Sequence, residues 1–334
     1  MTKDNSMTKE NPFEALTPDF ILDAVESRGL YSDGRAIALN SYENRVLQIG
    51  IEDTNPVIAK FYRPNRWTQE QILEEHRFCF ELVEQELPVV APMVTNGESL
   101  FKYGDYYCAL FERKGGHAPE LDNLDNLFTL GRFLGRIHKV GQAKEYQQRP
   151  ALTPQTYGHD SIDYIIEHAL PAEVKMPYES LARDIMKLVD ELWQRAGQQK
   201  SIRVHGDCHV GNILWRDDNP HFVDLDDSRM APAVQDIWML LSGERDQQQQ
   251  QLMEIIEGYQ KFCDFNVAEL QLVECLRTLR MIYHSAWLAR RWHDPAFKFA
   301  FPYFGSVQYW QEQILDLRVQ FAELQEAPVS LPHY

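Results

Sequence analysis

The chain has 334 residues, 44% hydrophobic and 25% charged, an ordinary balance for a globular protein with room for two domains. Its 50 acidic and 33 basic residues give a net charge of −17, so a nucleic-acid partner would need a basic patch against an unfavourable field. Arg290-Arg291-Trp292 is the nearest candidate and reads better as a solvated or salt-bridged helix face, so no nucleic acid is expected. No apolar run approaches the roughly 18 to 20 residues of a membrane span, and the start lacks a signal-peptide core. A cytoplasmic monomer without a membrane partner is expected, and the five unpatterned cysteines read as free thiols.

In chain order, residues 1–12 read as a polar, mobile start. Thr17-Pro18-Asp19 then gives an N-cap followed by Pro at N1, opening a helix that stops near Gly29. Residues 39–51 and 56–62 read as strands. Residues 68–87 read as a helix with Ile72, Phe78 and Leu82 at apolar positions, and strands follow around 99–102 and 106–111. These make a small β-rich lobe, 13–113, and Lys114-Gly115-Gly116 makes a linker into a helical lobe, 114–334. There, a helix over 124–140 carries Leu127, Leu130, Leu134 and Ile137 on one face, with Gly131 and Gly135 four apart. Each Gly costs about 1 kcal/mol against Ala in a helix, so the pair predicts close backbone packing. Further helices are expected over 162–170, 178–196, 247–262, 267–292 and 308–324. Tyr283, Trp287 and Trp292 recur at helical spacing and read as core rather than cleft.

The densest chemistry lies in His205-Gly206-Asp207-Cys208-His209-Val210-Gly211-Asn212, with Asp224 beyond it in Val223-Asp224-Leu225-Asp226. Phosphoryl transfer asks for one carboxylate to orient the acceptor hydroxyl and take its proton, and for oxygen ligands that hold Mg²⁺ against the phosphates. Asp207 fits the first role; Asn212 and Asp224 fit the second. Residues 212–215 and 221–224 read as strands of a hairpin joined by a turn over 216–220, which would carry both ligands at its base. A lone His-Gly-Asp would more simply be loop punctuation, but Asn212 and Asp224 at matching offsets argue against that. His205, Cys208 and His209 invite a zinc reading, for which no second ligand cluster is near; His205 reads better as support for the loop backbone. Lys60, ending the strand Val57-Ile58-Ala59-Lys60, suits the α and β phosphates of a nucleotide. A helix carboxylate should hold it, and Glu74 and Glu75 point about 100° apart, so only one can serve.

Together these residues resemble the aminoglycoside phosphotransferase and choline kinase superfamily, whose loop reads HGDxHxxN, and within it the bacterial stress response kinase A family. The resemblance is carried by Leu39-Asn40-Ser41-Tyr42-Glu43-Asn44-Arg45-Val46, Lys60-Phe61-Tyr62-Arg63-Pro64, Gln71-Ile72-Leu73-Glu74-Glu75-His76, the loop from His205 to Trp215, Phe222 to Asp227, and Pro232-Ala233-Val234-Gln235-Asp236. It covers nearly the whole chain beyond the first dozen residues. It implies an α+β, bilobal protein-kinase-like fold, with a nucleotide-binding small β-rich N-lobe and a larger helical C-lobe that holds the catalytic and acceptor-binding residues. It also implies ATP as co-substrate, Mg²⁺ as cofactor, a Ser/Thr acceptor on a protein and a part in stress survival. By resemblance Ser41 lies at the nucleotide, and Glu75 rather than a solvated Glu74 holds Lys60. A backbone hinge for adenine is expected near Glu112 and Arg113. The turn 40–45 has no glycine, so a plain β-turn is its alternative. Asp226 and Asp227 are open between a second metal contact and a cap, with the cap favoured. Asp236 resembles a buried acid that steadies the catalytic-loop amides, or else simply meets a helix dipole. Gly206 stands where protein kinases carry an Arg for an activating phosphate, and only eleven residues separate Asp224 from Asp236. Activity is therefore expected without activation-loop phosphorylation. The alternatives are a kinase for an amino sugar, choline-like or homoserine-like alcohol, and a nucleotide-binding pseudokinase, against which the intact set Lys60, Asp207, Asn212 and Asp224 argues.

Overall fold

The computed structural model describes residues 11–197 and 199–331. Most of the start read as mobile, residues 1–10, lies outside the described residues; Asn11 and Pro12 lie inside, where Asn11 Oδ1 accepts the Phe13 amide and the Pro12 carbonyl accepts the Tyr106 hydroxyl. The chain separates into two compact units that interleave in sequence. One takes the chain up to His76, Val90–Lys114 and Arg290–Pro302; the other takes Arg77–Val89, Gly115–Ala289 and the chain from Tyr303. The fold class is mixed α+β, with an antiparallel sheet in the first unit and mainly helices in the second.

In the first unit, α1 (Pro18–Glu26) starts where the sequence signals it, the Thr17 hydroxyl accepting the Phe20 amide and Pro18 opening the first turn. The strands β1 (Ser32–Ala38), β2 (Arg45–Ile51) and β3 (Val57–Phe61) precede α2 (Gln69–Glu84), of which the part up to His76 lies in this unit, and β4 (Phe101–Tyr103) and β5 (Tyr106–Glu112) follow it. They form one sheet in the order β1-β2-β3-β5-β4, antiparallel throughout. Alternation gives the sheet two faces. Ile49, Ala59, Phe61, Cys108 and Leu110 pack with Ile21 and Val25 of α1, while Tyr62 and Ala109 pack with Ile72 of α2. Strand β1 has no counterpart in the sequence reading. Its residues are almost all exposed, so no apolar alternation marks it, and pairing with β2 alone makes it a strand. The strand expected from 39 begins at Arg45, with 39–44 forming the connection before it.

In the second unit, α3 (Leu124–Gly141) buries Leu127, Leu130, Leu134 and Ile137 as its periodicity requires. It is followed by α4 (Asp160–His168), α5 (Ala172–Arg195), β6 (Ile202–Val204), β7 (Ile213–Arg216), β8 (Asn219–Phe222), β9 (Arg229–Ala231), α6 (Val234–Trp238), α7 (Arg245–Tyr259) and α8 (Val273–Arg291). The last helix of this unit is α10 (Val307–Glu323), and the short α9 (Pro295–Ala300) belongs to the first unit. The glycine pair of α3 does what its spacing predicts: a Cβ at Gly131 would strike the Ile255 carbonyl, and one at Gly135 the Tyr259 carbonyl, both on α7. α5 starts at Ala172 rather than near 178 because it accommodates Pro177 in its second turn. A one-turn π-helix, Pro154–His159, was not legible, although such turns recur at functional sites. Among the described residues no helix is long and apolar enough to cross a membrane, and all five cysteines are free.

Candidate active site

The loop after β6 turns at Gly206, whose φ of +86° suits glycine, and a Cβ there would collide with the Asp227 carbonyl. A larger residue is barred on both counts. Beneath the turn lies Asp236, fully buried at the start of α6, with Oδ2 accepting the His205 amide at 2.7 Å and Oδ1 accepting the Gly206 amide at 2.8 Å. His138 Nε2 lies 3.0 Å from Asp236 Oδ2, and its Nδ1 lies 3.0 Å from the Tyr259 hydroxyl. Since a carboxylate can only accept, His138 carries its proton on Nε2. Asp236 therefore steadies the loop amides, and the helix-dipole alternative is not needed. His205 supports the loop from within: its Nδ1 accepts the Asp207 amide at 3.4 Å and its Nε2 donates to the Val223 carbonyl at 2.9 Å.

Asp207 is presented from this turn with its side chain 22% exposed. Asn212 Nδ2 donates to the Asp207 carbonyl at 2.9 Å and to Oδ2 at 3.3 Å, which turns the Asn212 Oδ1 away as an acceptor. His209 Nδ1 accepts the Gly211 amide, placing its protonated Nε2 3.5 Å from Asp207 Oδ2. Arg280, on α8, sets Nη1 2.7 Å from Asp207 Oδ1. Burial alone would raise the Asp207 carboxyl. The His209 hydrogen bond and the Arg280 charge outweigh it and hold the group well below the usual carboxylate range, hence ionised at neutral pH. Burial, then the Asp236 and Asp207 charges, pushes the Cys208 thiol well up, which does not suit a zinc thiolate.

The hairpin carrying the other two residues is tighter than the five-residue turn expected. β7 and β8 pair from Ile213↔Phe222 to Arg216↔Asn219, leaving Asp217 and Asp218 as a two-residue turn, both at positive φ. Just past β8, the Val223 amide donates to the Asn212 carbonyl at 3.0 Å, which fixes Asn212 and Asp224 at the same end of the hairpin. Asp224 is exposed and left-handed, with φ 59° and ψ 63°, a conformation that costs roughly 1–2 kcal/mol in a non-glycine residue and so marks a constrained position. Asp226 is buried behind it. Between Asp224 and Asp236 the chain is taken up by a 3₁₀ turn, Leu225–Asp227, then β9 and the start of α6.

In the first unit Lys60 and Glu75 are both buried. Lys60 Nζ lies 5.1 Å from the centre of the Tyr62 ring, whose hydroxyl is 3.0 Å from His76 Nε2, and Glu75 Oε2 is 3.8 Å from that same nitrogen. The two thus share one neighbourhood. Glu74, expected to be solvated, is buried at 7% exposure. Ser41 lies in the β1–β2 connection, its hydroxyl donating to the Asn44 carbonyl at 3.3 Å. Arg63 braces that connection, donating to the Glu43 carbonyl at 2.9 Å and the Tyr42 carbonyl at 3.3 Å while pairing with Asp294 at 2.6 Å. Glu112 ends β5 and pairs with Lys114 at 2.9 Å; Arg113 donates to Gln48 at 3.0 Å. Sequence reasoning missed Arg280 and His209 at Asp207, and it misplaced Tyr283, Trp287 and Trp292. These three are half-buried rather than core: the buried side of α8 is carried by Leu276, Leu279, Ile282 and Ala286, and Trp292 lies just past its end.

Residues 35–273 match the phosphotransferase enzyme family, so the chain belongs to that family and is an enzyme that passes a phosphoryl group to a hydroxyl acceptor. Within it, the chain is a member of the stress response kinase A family. It is 43% identical to Stress response kinase A of Escherichia coli K12 over 320 residues, 96% of this chain and 97% of the relative. It is 42% identical over 329 residues, 98% of each chain, to the Serine/threonine protein kinase RdoA of Salmonella typhimurium LT2. Among solved structures the fold is similar to an amicoumacin kinase in complex with AMP-PNP and Ca²⁺, with TM-score 0.70, 18% identity and coverage of 92% and 94% of the two chains. It is also similar to a microcompartment-associated aminopropanol kinase, with TM-score 0.66, 16% identity and coverage of 90% and 96%.

Proposed function

We propose that this enzyme transfers the γ-phosphoryl of ATP, with Mg²⁺, to a Ser or Thr hydroxyl of a protein in a bacterial stress response, acting as a cytoplasmic monomer. The observation that carries the chemistry is Asp207: an ionised, partly exposed carboxylate on a loop whose amides are clamped by Asp236. The relative named as a Ser/Thr protein kinase supports the acceptor, and the names of the other relatives support the stress role.

In this reading Asp207 orients the acceptor hydroxyl and takes its proton. The Asn212 carbonyl oxygen, turned away from Asp207, and the exposed Asp224 carboxylate form a hard oxygen donor set that fits Mg²⁺ and does not suit a soft metal. Bound there, Mg²⁺ supplies neutralisation of phosphate charge. Lys60 meets the α and β phosphates with Glu75 holding its ammonium, Ser41 donates to phosphate, and the backbone at Glu112 and Arg113 receives the adenine. The segment from Asp224 to Asp236 holds a 3₁₀ turn, β9 and the start of α6, which supports activity without an activating phosphate.

The test separates two carboxylates. Asp207→Asn and Asp224→Asn should both abolish transfer, but only Asp224→Asn should weaken Mg-ATP binding in calorimetric titration. Equal loss of binding in both would sink this division of roles. Labelled ATP offered with protein acceptors and with small alcohols decides the acceptor, since the names of the structural neighbours favour a small-molecule alternative. Absence of turnover on every acceptor would leave a pseudokinase.

A further inference from the structure

Three side chains already meet the Asp207 carboxylate: Asn212 and His209 at Oδ2, and Arg280 at Oδ1. An acceptor hydroxyl that is to donate to this carboxylate finds Oδ1 without a hydrogen-bond partner but faced by the Arg280 guanidinium. Asn212 is anchored a second time, through the Asp207 carbonyl, and His209 through the Gly211 amide. Arg280 has no second anchor. Its guanidinium makes one ion pair, its side chain is 43% exposed, and its other N–H donors meet no acceptor among the described residues. A half-exposed arginine with most of its planar fork unspent is a carboxylate-binding group held in reserve.

Aromatic side chains follow Arg280 along α8. One turn further along α8, Tyr283 stacks on Tyr157 with ring centres 4.1 Å apart and planes 14° apart, and His284 stacks on Trp287 at 5.5 Å. Tyr157 is delivered by the π-helix before α4, and the Arg229 guanidinium lies 5.0 Å from the centre of its ring. The stripe Arg280, Tyr283, His284 and Trp287 follows the i, i+3, i+4, i+7 spacing of one helix face, and none of it belongs to the buried core.

Resting on the assignment of Asp207 as the acceptor-orienting group, we propose that Arg280 selects acceptors carrying a carboxylate beside the reacting hydroxyl, above all Ser or Thr flanked by an acidic side chain. A neutral acceptor has to share Asp207 Oδ1 with the guanidinium and gives that guanidinium nothing else to bind. An acidic acceptor gives the guanidinium a bidentate partner of its own and so frees that oxygen for the hydroxyl. The net charge of −17 opposes an acidic acceptor at long range, so the selection resides in this local contact.

The experiment uses the full chain with Mg-ATP and two matched pairs: a Ser peptide with flanking Glu against the same peptide with Gln, and L-homoserine against 3-aminopropan-1-ol, which lacks the carboxylate. In wild type the Glu peptide should exceed the Gln peptide in kcat/KM by about tenfold or more, the scale of one charge-assisted hydrogen bond. Arg280→Gln should bring that ratio close to one, and Arg280→Lys, which keeps the charge and loses the fork, should fall between. A melting curve for each variant excludes misfolding as the cause. Equal use of both members of a pair by wild type, or a preference that survives in Arg280→Gln, overturns the proposal. Label confined to homoserine, and lost from it in Arg280→Gln, supports the carboxylate seat while overturning the protein acceptor. No label in any arm overturns both.

Discussion

Asp236→Asn probes the clamp under the Gly206 turn, and its cost can be worked from three contacts. The carboxylate accepts the Gly206 amide on Oδ1, and the His205 amide and His138 Nε2–H on Oδ2. Asparagine retains one acceptor oxygen. With that oxygen toward His205 and His138, its NH₂ opposes the Gly206 amide; reversed, it opposes two donors, so the first orientation is preferred. One charge-assisted bond is then lost, worth about 1.5–3 kcal/mol, and two others lose their charge, for a total of roughly 2–4 kcal/mol of stability. The Gly206 amide freed in this way adjoins Asp207. A displacement of the carboxylate by about 1 Å would lower turnover on the order of 100-fold, whereas Mg-ATP affinity should stay within about threefold because Asn212 and Asp224 are held by the hairpin. Urea midpoints, steady-state rates and calorimetric titration measure the three quantities. A variant destabilised by the stated amount yet fully active would show that Asp236 is only a buried core acid, and the argument linking it to catalysis would fail.

Four further outcomes follow from other contacts. Gly131→Ala should destabilise by about 1–3 kcal/mol without altering KM, because its methyl would meet the Ile255 carbonyl; a rise in melting temperature, as helix propensity alone would give, would contradict the close crossing of α3 and α7. Arg63→Ala removes the brace from the connection that carries Ser41 and leaves Asp294 without that partner, so it should cost about 3–5 kcal/mol of stability and raise the KM for ATP; an unchanged ATP KM would separate the brace from nucleotide binding. Glu269 accepts the Val234 amide at 3.0 Å, and burial, opposed by that bond, raises its carboxyl above the ordinary 4.5. A raised folded-state value means stability is greatest below the unfolded value and is lost as pH rises through the folded one; Glu269→Gln should flatten that decline in urea midpoints, and an unaltered slope would refute it. Phosphatase-treated enzyme should keep its initial rate, and a rate that vanished would refute the ungated mechanism.

The proximity of Asp207, Asn212 and Asp224 was legible because the chemistry they were read for fixes residue types at short spacing. An acid, an amide five residues on and a second acid past a hairpin have few other reasons to coincide; the Asn212 side chain donates to the Asp207 carbonyl, and the Val223 amide, next to Asp224, donates to the Asn212 carbonyl. The glycine pair of α3 was legible for a related reason, since a helix tolerates two such costs only where another backbone approaches. β1 was not, because an exposed edge strand has no buried face to write into its sequence. Neither was the tight turn of the β7–β8 hairpin, where Asp217 and Asp218 take a left-handed geometry that sequence patterns associate with Asn-Gly.

Arg280 marks the limit more sharply. On its own helix it is one cation among several, indistinguishable by spacing from Arg277, which lies over the Trp238 ring instead. Its significance arises only when α8 lies beside the loop after β6, a tertiary fact with no local signature. The same is true of the partners that hold Asp207 ionised. What the chain spells out is a set of groups of the kind phosphoryl transfer needs. What it leaves to packing is which long side chains, such as Arg280, come to lie beside them.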